Sequence, residues 1–179
     1  GDSRGAAEAL LAAEEAGAAD PQVLLTAGKQ FLKAGFSSEA QEAFRQLATM
    51  FPGTPQAIAG NVALAQIAAS QGEAGRAMQL MEDMARLAQN TPQETEVLLA
   101  LGDMCQDLGL HQRGAQAYRD AAAASSDPEV LGRAAVALYS AGAWSEGNEV
   151  ARRIDPGRLT EATAYAFLMD HGFAMLRAD

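Results

Sequence analysis

A chain of 179 residues, 49% hydrophobic and 20% charged, has the composition of a folded globular segment and is long enough to bury a core. Its formal net charge of −10, from 13 Lys and Arg against 23 Asp and Glu, has the wrong sign for neutralising phosphates, so nucleic acid is excluded as an expected partner. The same sign opposes docking on anionic lipid. No apolar run approaches the ~18 residues needed to cross a bilayer, so no direct membrane insertion is expected of this segment.

Alanine-rich composition favours helix, and apolar spacing with Gly and Pro punctuation predicts ten helices in chain order. They cover about residues 3–16, 21–34, 37–50, 55–71, 73–89, 93–108, 111–124, 128–141, 144–153 and 160–171. The opening GDSRGAAEAL has no signal-peptide core. Asp-Pro and Thr-Pro steps at Pro21, Pro55, Pro92 and Pro128 mark helix starts, because proline is tolerated in a first turn and breaks a helix interior.

A repeat runs through these elements. Gly35, Gly72, Gly109, Gly142 and Gly172 follow one another 37, 37, 33 and 30 residues apart. Each is a candidate helix end, since glycine takes the left-handed conformation that other residues resist. Four residues before each stands an apolar position: Phe31, Ala68, Cys105, Leu138 and Leu168. Five residues after the first four stand Ala40, Ala77, Gly114 and Gly147, and nine after stand Phe44, Met81, Tyr118 and Ala151. A small residue lets two helices approach, and a larger one a turn later fills the space beside it. Pro52, Pro92, Pro128 and Pro156 close the units.

The pattern resembles the tetratricopeptide repeat, which expects Trp-x2-Leu-Gly-x2-Tyr, then Ala-x3-Phe, then Pro. The first unit reads Leu24-x2-Ala27-Gly28-x2-Phe31, Ala40-x3-Phe44, Pro52. The third reads Leu98-x2-Leu101-Gly102-x2-Cys105, Gly114-x3-Tyr118, Pro128. The second and fourth match more loosely, and another class of α-solenoid would carry the same punctuation. The resemblance implies an all-α right-handed superhelix of about four helical hairpins with an unpaired helix at each end. Residues 1–179 then form a single repeat domain. Its units cover approximately 21–54, 58–91, 95–127 and 128–157, with partial units over 1–20 and 158–179, as in a fragment of a longer chain. The Lys-poor, Ala-rich style suggests a bacterial source, and leaves the cytoplasm and the cell envelope open as compartments.

Reactive groups do not converge in the sequence. His111 and His171 begin no metal-ligand pattern, and Cys105 holds a core position of its repeat rather than facing a histidine. Adjacent acidic pairs such as Glu82–Asp83 point apart on a helix. No phosphate-binding glycine loop is present. The expectation is a non-enzyme without cofactor or metal. Trp144 is expected to pack between helices.

The resemblance implies that first helices line a concave surface where a protein or peptide partner binds. Repeat phase assigns Leu25, Lys29, Leu32 and Lys33 to it in the first unit and Val62 and Gln66 in the second. The third unit supplies Glu96, Leu99, Asp103 and Asp107, and the fourth Val136 and Tyr139. Lys29 and Lys33 are the only lysines in the chain. Asp103 and Asp107 repeat their spacing with opposite charge, a pattern suited to fixing the direction of a bound peptide. Relatives that clamp the C-terminal carboxylate of heat-shock chaperones use Lys, Arg and Asn on successive first helices. Only Lys29 fits that set, while Ala59, Ala63 and Ala100 stand at other clamp positions, so no such binding is expected. The alternative function is a spacer or self-association module with no peptide in the groove.

Overall fold

The computed structural model describes Gly5 and residues 20–177. Nine α-helices and one 3-10 turn, with no strand, organise the described residues. They are α1 (Pro21–Lys33), α2 (Ser37–Met50), α3 (Pro55–Ser70), α4 (Ala74–Ala88), α5 (Glu94–Asp107), α6 (His111–Ala124), α7 (Pro128–Ser140), α8 (Trp144–Ala151) and α9 (Glu161–Arg177). The 3-10 turn is Pro156–Arg158. The helix expected over residues 3–16 lies, Gly5 apart, outside the described residues.

Three of the four marked proline starts open a helix, while α5 begins at Glu94, two residues past Pro92. Pro21, Pro55 and Pro128 open α1, α3 and α7. The preceding Asp20, Thr54 and Asp127 side chains accept from the amides of Gln22, Ala57 and Glu129 at 2.8, 3.2 and 2.8 Å. Each bond satisfies one of the amides left open at a helix start. Four first helices end alike. Gly35, Gly72, Gly109 and Gly142 have φ of +82°, +81°, +72° and +76°. The amide after each reaches back to the carbonyl of Phe31, Ala68, Cys105 or Leu138 at 2.7 to 2.9 Å. This is the six-residue closure that a left-handed C′ residue permits.

Gly172 departs from the expectation. It lies inside α9, which runs on to Arg177 rather than stopping near residue 171. Glycine permits a left-handed turn without compelling one. The following Phe-Ala-Met-Leu-Arg contains neither a capping residue nor a proline, so the helix continues.

Helices α1 to α4 belong to one compact unit and α5 to α9 to another. In the first, α1 packs on α2 and both meet α3, which packs on α4. Its core gathers Leu24, Phe31, Phe44, Leu47, Leu64 and Ile67. In the second, α5 packs on α6, α6 on α7, and α7 on α8 and α9. That core gathers Leu99, Tyr118, Leu131, Leu138, Tyr139 and Phe167.

Rings on glycines set the closest helix approaches. Phe44 of α2 covers Gly28 of α1, and Tyr118 of α6 covers Gly102 of α5; a Cβ on either glycine would stand 2.3–2.8 Å from carbons of the ring. Ala65 and Met81 hold the same register in α3 and α4, and both are fully buried. The pair α7–α8 inverts the arrangement: Tyr139, on the first helix, covers Gly147 on the second. Trp144 then stacks on Tyr139 with ring centroids 5.9 Å apart, the inter-helix packing expected of it.

Candidate functional site: an acidic cleft between α5 and α7

The α5 helix carries Asp103 and Asp107 one turn apart, so both carboxylates fall on one side. Asp107 closes the helix, and no basic residue stands in its last turn. The partial negative charge of the helix C-terminus therefore adds to the two carboxylates instead of being offset. Across from them stands the C-terminal turn of α7, also without a basic residue.

Asp103, Gln106 and Asp107 of α5, Tyr118 of α6, and Ala137 and Ser140 of α7 line a cleft of about 430 Å³. The Tyr118 hydroxyl donates to a carboxylate oxygen of Asp103 at 2.9 Å. This fixes one rim of the cleft to the core, because the Tyr118 ring is only 2% exposed. Burial, the bond to Asp103 and the charges of Asp103 and Asp107 hold the phenol proton well above its ordinary pKa. Among the described residues no cation pairs with Asp103 or Asp107. An open cleft with two uncompensated carboxylates, a serine hydroxyl and an amide suits one cationic side chain of an extended segment.

A second hollow, about 230 Å³, opens between α6 and α8 beside Arg119, Glu146, Glu149, Val150 and Arg153. Three of its charged side chains, Arg119, Glu146 and Arg153, are engaged internally. Arg119 pairs with Glu146 at 3.0 Å, and Arg153 donates to the Ser125 carbonyl at 2.8 Å.

The residues assigned to the binding face separate into two groups. Lys29, Lys33, Gln66, Glu96, Asp103 and Asp107 are exposed, and Leu32, Val62 and Val136 are partly buried. Leu25, Leu99 and Tyr139 are 6%, 3% and 1% exposed and belong to the cores, which corrects their assignment to a ligand surface. Within each unit the next first helix packs over one edge of the face, α3 on α1, α7 on α5 and α9 on α7, and takes these side chains into the core. Of the assigned residues, Asp103 and Asp107 are brought together in the cleft. Lys29 and Lys33 stand one turn apart on α1 of the other unit. Ala59 and Ala100 are partly buried and Ala63 is buried, leaving no polar group at those clamp positions.

Neither a protein-family model nor a curated protein matches this chain. Among the described residues no helix is long and apolar enough to cross a membrane, and no group of three or more His, Cys, Asp or Glu side chains could hold a metal ion. Cys105 is buried, and burial pushes its thiol pKa up, away from the nucleophilic thiolate.

Two cleft residues, Tyr118 and Ala137, lie off the face that repeat phase assigns, which takes in Gln106 and Ser140 as well as the two aspartates. Tyr118 had been given only its packing role, although a tyrosine at a ring position where the first unit has Phe44 signals a hydroxyl in need of a partner. Ala137 carries no chemical signal. A further contact had none either: His171 Nδ1 lies 2.8 Å from the Tyr139 hydroxyl, which donates to Asn148 Oδ1 at 3.0 Å. Nothing in sequence spacing pairs residues on α7 and α9 separated by 32 positions.

Proposed function

We propose that this chain is a non-catalytic interaction module of the tetratricopeptide-like class, binding an extended protein segment through first helices of the unit formed by α5 to α9. The α5–α7 cleft takes a Lys or Arg side chain of that segment. The observation that carries this reading is the pairing of Asp103 and Asp107 at a helix C-terminus, beside an open cleft and with no cation paired to them among the described residues. A carboxylate pair already matched by arginine, as Glu146 is by Arg119, would have left nothing to recognise.

The test is amide chemical-shift mapping of the whole protein with a capped alanine hexapeptide carrying one central arginine. The shifts should centre on Asp103, Gln106, Asp107 and Ser140. Asp103→Asn with Asp107→Asn should weaken binding about tenfold, since a charge-assisted hydrogen bond contributes roughly 1.5–3 kcal/mol. Asn keeps an acceptor for Tyr118, so the fold survives the change. Shifts centred elsewhere, or equal binding by the double variant, would contradict the assignment.

A further inference from the structure

One face of α9 is open. Phe167 is buried in the core, Thr163 lies against Gly132 of α7, and His171 meets Tyr139. On the other side Tyr165, Leu168 and Met169 are 70%, 55% and 46% exposed, and Ala162 and Gly172 are exposed with them.

Repeat phase gives this face meaning. Counting back from the glycine, Leu168 corresponds to Phe31, Ala68, Cys105 and Leu138, all 0–2% exposed. Tyr165 corresponds to Gly28, Ala65, Gly102 and Ala135, all buried under the following helix. Where the other first helices carry Gly or Ala to admit a neighbour, α9 carries a ring. A covering helix must therefore present a small residue to it, as Gly147 does to Tyr139. Gly172 is such a residue, and a Cβ placed on it meets no atom within 4 Å. It lies seven residues beyond Tyr165, two turns along almost the same line.

We infer that α9 pairs with α9 of a second copy, antiparallel about a two-fold axis between Leu168 and Met169, each Tyr165 ring seated on Gly172 of the other copy. One face thus supplies both halves of the contact, as an isologous interface requires. The seat repeats the ring-on-glycine packing found at Gly28, Gly102 and Gly147. Charge favours the antiparallel sense. Glu161 lies one turn before Tyr165, so antiparallel pairing holds the two Glu161 carboxylates at opposite ends, and parallel pairing would place them side by side. Asp170 lies on the far side of the helix from Tyr165.

Sedimentation velocity on the full chain should show mass rising toward a dimer with concentration. Gly172→Glu has open space at its Cβ, places a charge in the seat, and should weaken dimerisation at least tenfold with helix content retained. Single cysteines report the geometry. Leu168→Cys, beside the axis, should oxidise to a disulfide dimer. Ala162→Cys, about 20 Å from its copy along the antiparallel pair, should not. A monomer at every concentration, a dimer indifferent to Gly172→Glu, or equal cross-linking of both cysteine variants would overturn the inference.

Discussion

The rings of Phe44 and Tyr118 rest where a glycine on the neighbouring helix leaves out its Cβ, and these contacts set the helix spacing. Gly102→Ala should destabilise the protein by about 1–3 kcal/mol, because a well-packed ring has nowhere to go. Gly75→Ala is the control: it sits in α4 with nothing within 4 Å of an added Cβ, and should stabilise by up to about 0.5–1 kcal/mol through helix propensity. Urea denaturation of the two variants measures both. Tyr139 makes a second prediction. Burial first, then the Asp170 charge, raises its pKa to about 12. The protonated form is favoured in the folded state, so its contribution is complete below the ordinary phenol pKa near 10 and is lost as pH rises through about 12. The melting temperature of wild type should fall between pH 10 and 12 more steeply than that of Tyr139→Phe.

Elements were the most legible level. Asp-Pro and Thr-Pro starts and left-handed glycine ends are local signals, and helices α1 to α7 fall within a residue or so of their predicted limits. The Gly172 expectation failed because a stop also needs something after the glycine that ends the helix, and FAMLR does not provide it. What anchors the start of α9 is a long-range contact that spacing could not give. Glu129, in the first turn of α7, accepts from the Thr160 amide at 3.1 Å, the Thr160 hydroxyl at 3.0 Å and the Thr163 hydroxyl. These bonds, with Thr163 foremost, hold the Glu129 carboxyl below its ordinary pKa. Its contribution is therefore present above that ordinary value and lost as pH falls through the lowered one. Glu129→Ala should cost about 1 kcal/mol at neutral pH, and the gap in melting temperature to wild type should narrow as the solution is acidified below the ordinary carboxylate range.

For the whole molecule, repeat phase separated surface from core only in part. Phase and charge picked out Asp103 and Asp107, which line the cleft. Phase alone put Leu25, Leu99 and Tyr139 on the same face, where packing within each unit buries them. A helix position has one angle but two neighbours, and the sequence of one hairpin does not say how far the next reaches over it. The net charge of −10 adds a long-range prediction. Association with a basic peptide should be steered, so its on-rate should fall with added salt, while the off-rate, set by contacts in the cleft, changes less. Stopped-flow mixing at two salt concentrations separates the two rates.

The most direct measurement is a selection of displayed random peptides on wild-type protein, followed by binding of the enriched peptides to folded Asp103→Asn/Asp107→Asn protein. A module that reads a cationic side chain in this cleft predicts Lys or Arg at a fixed position in the winners and their loss from the double variant. Winners without a shared basic residue, or winners held equally by both proteins, would contradict it.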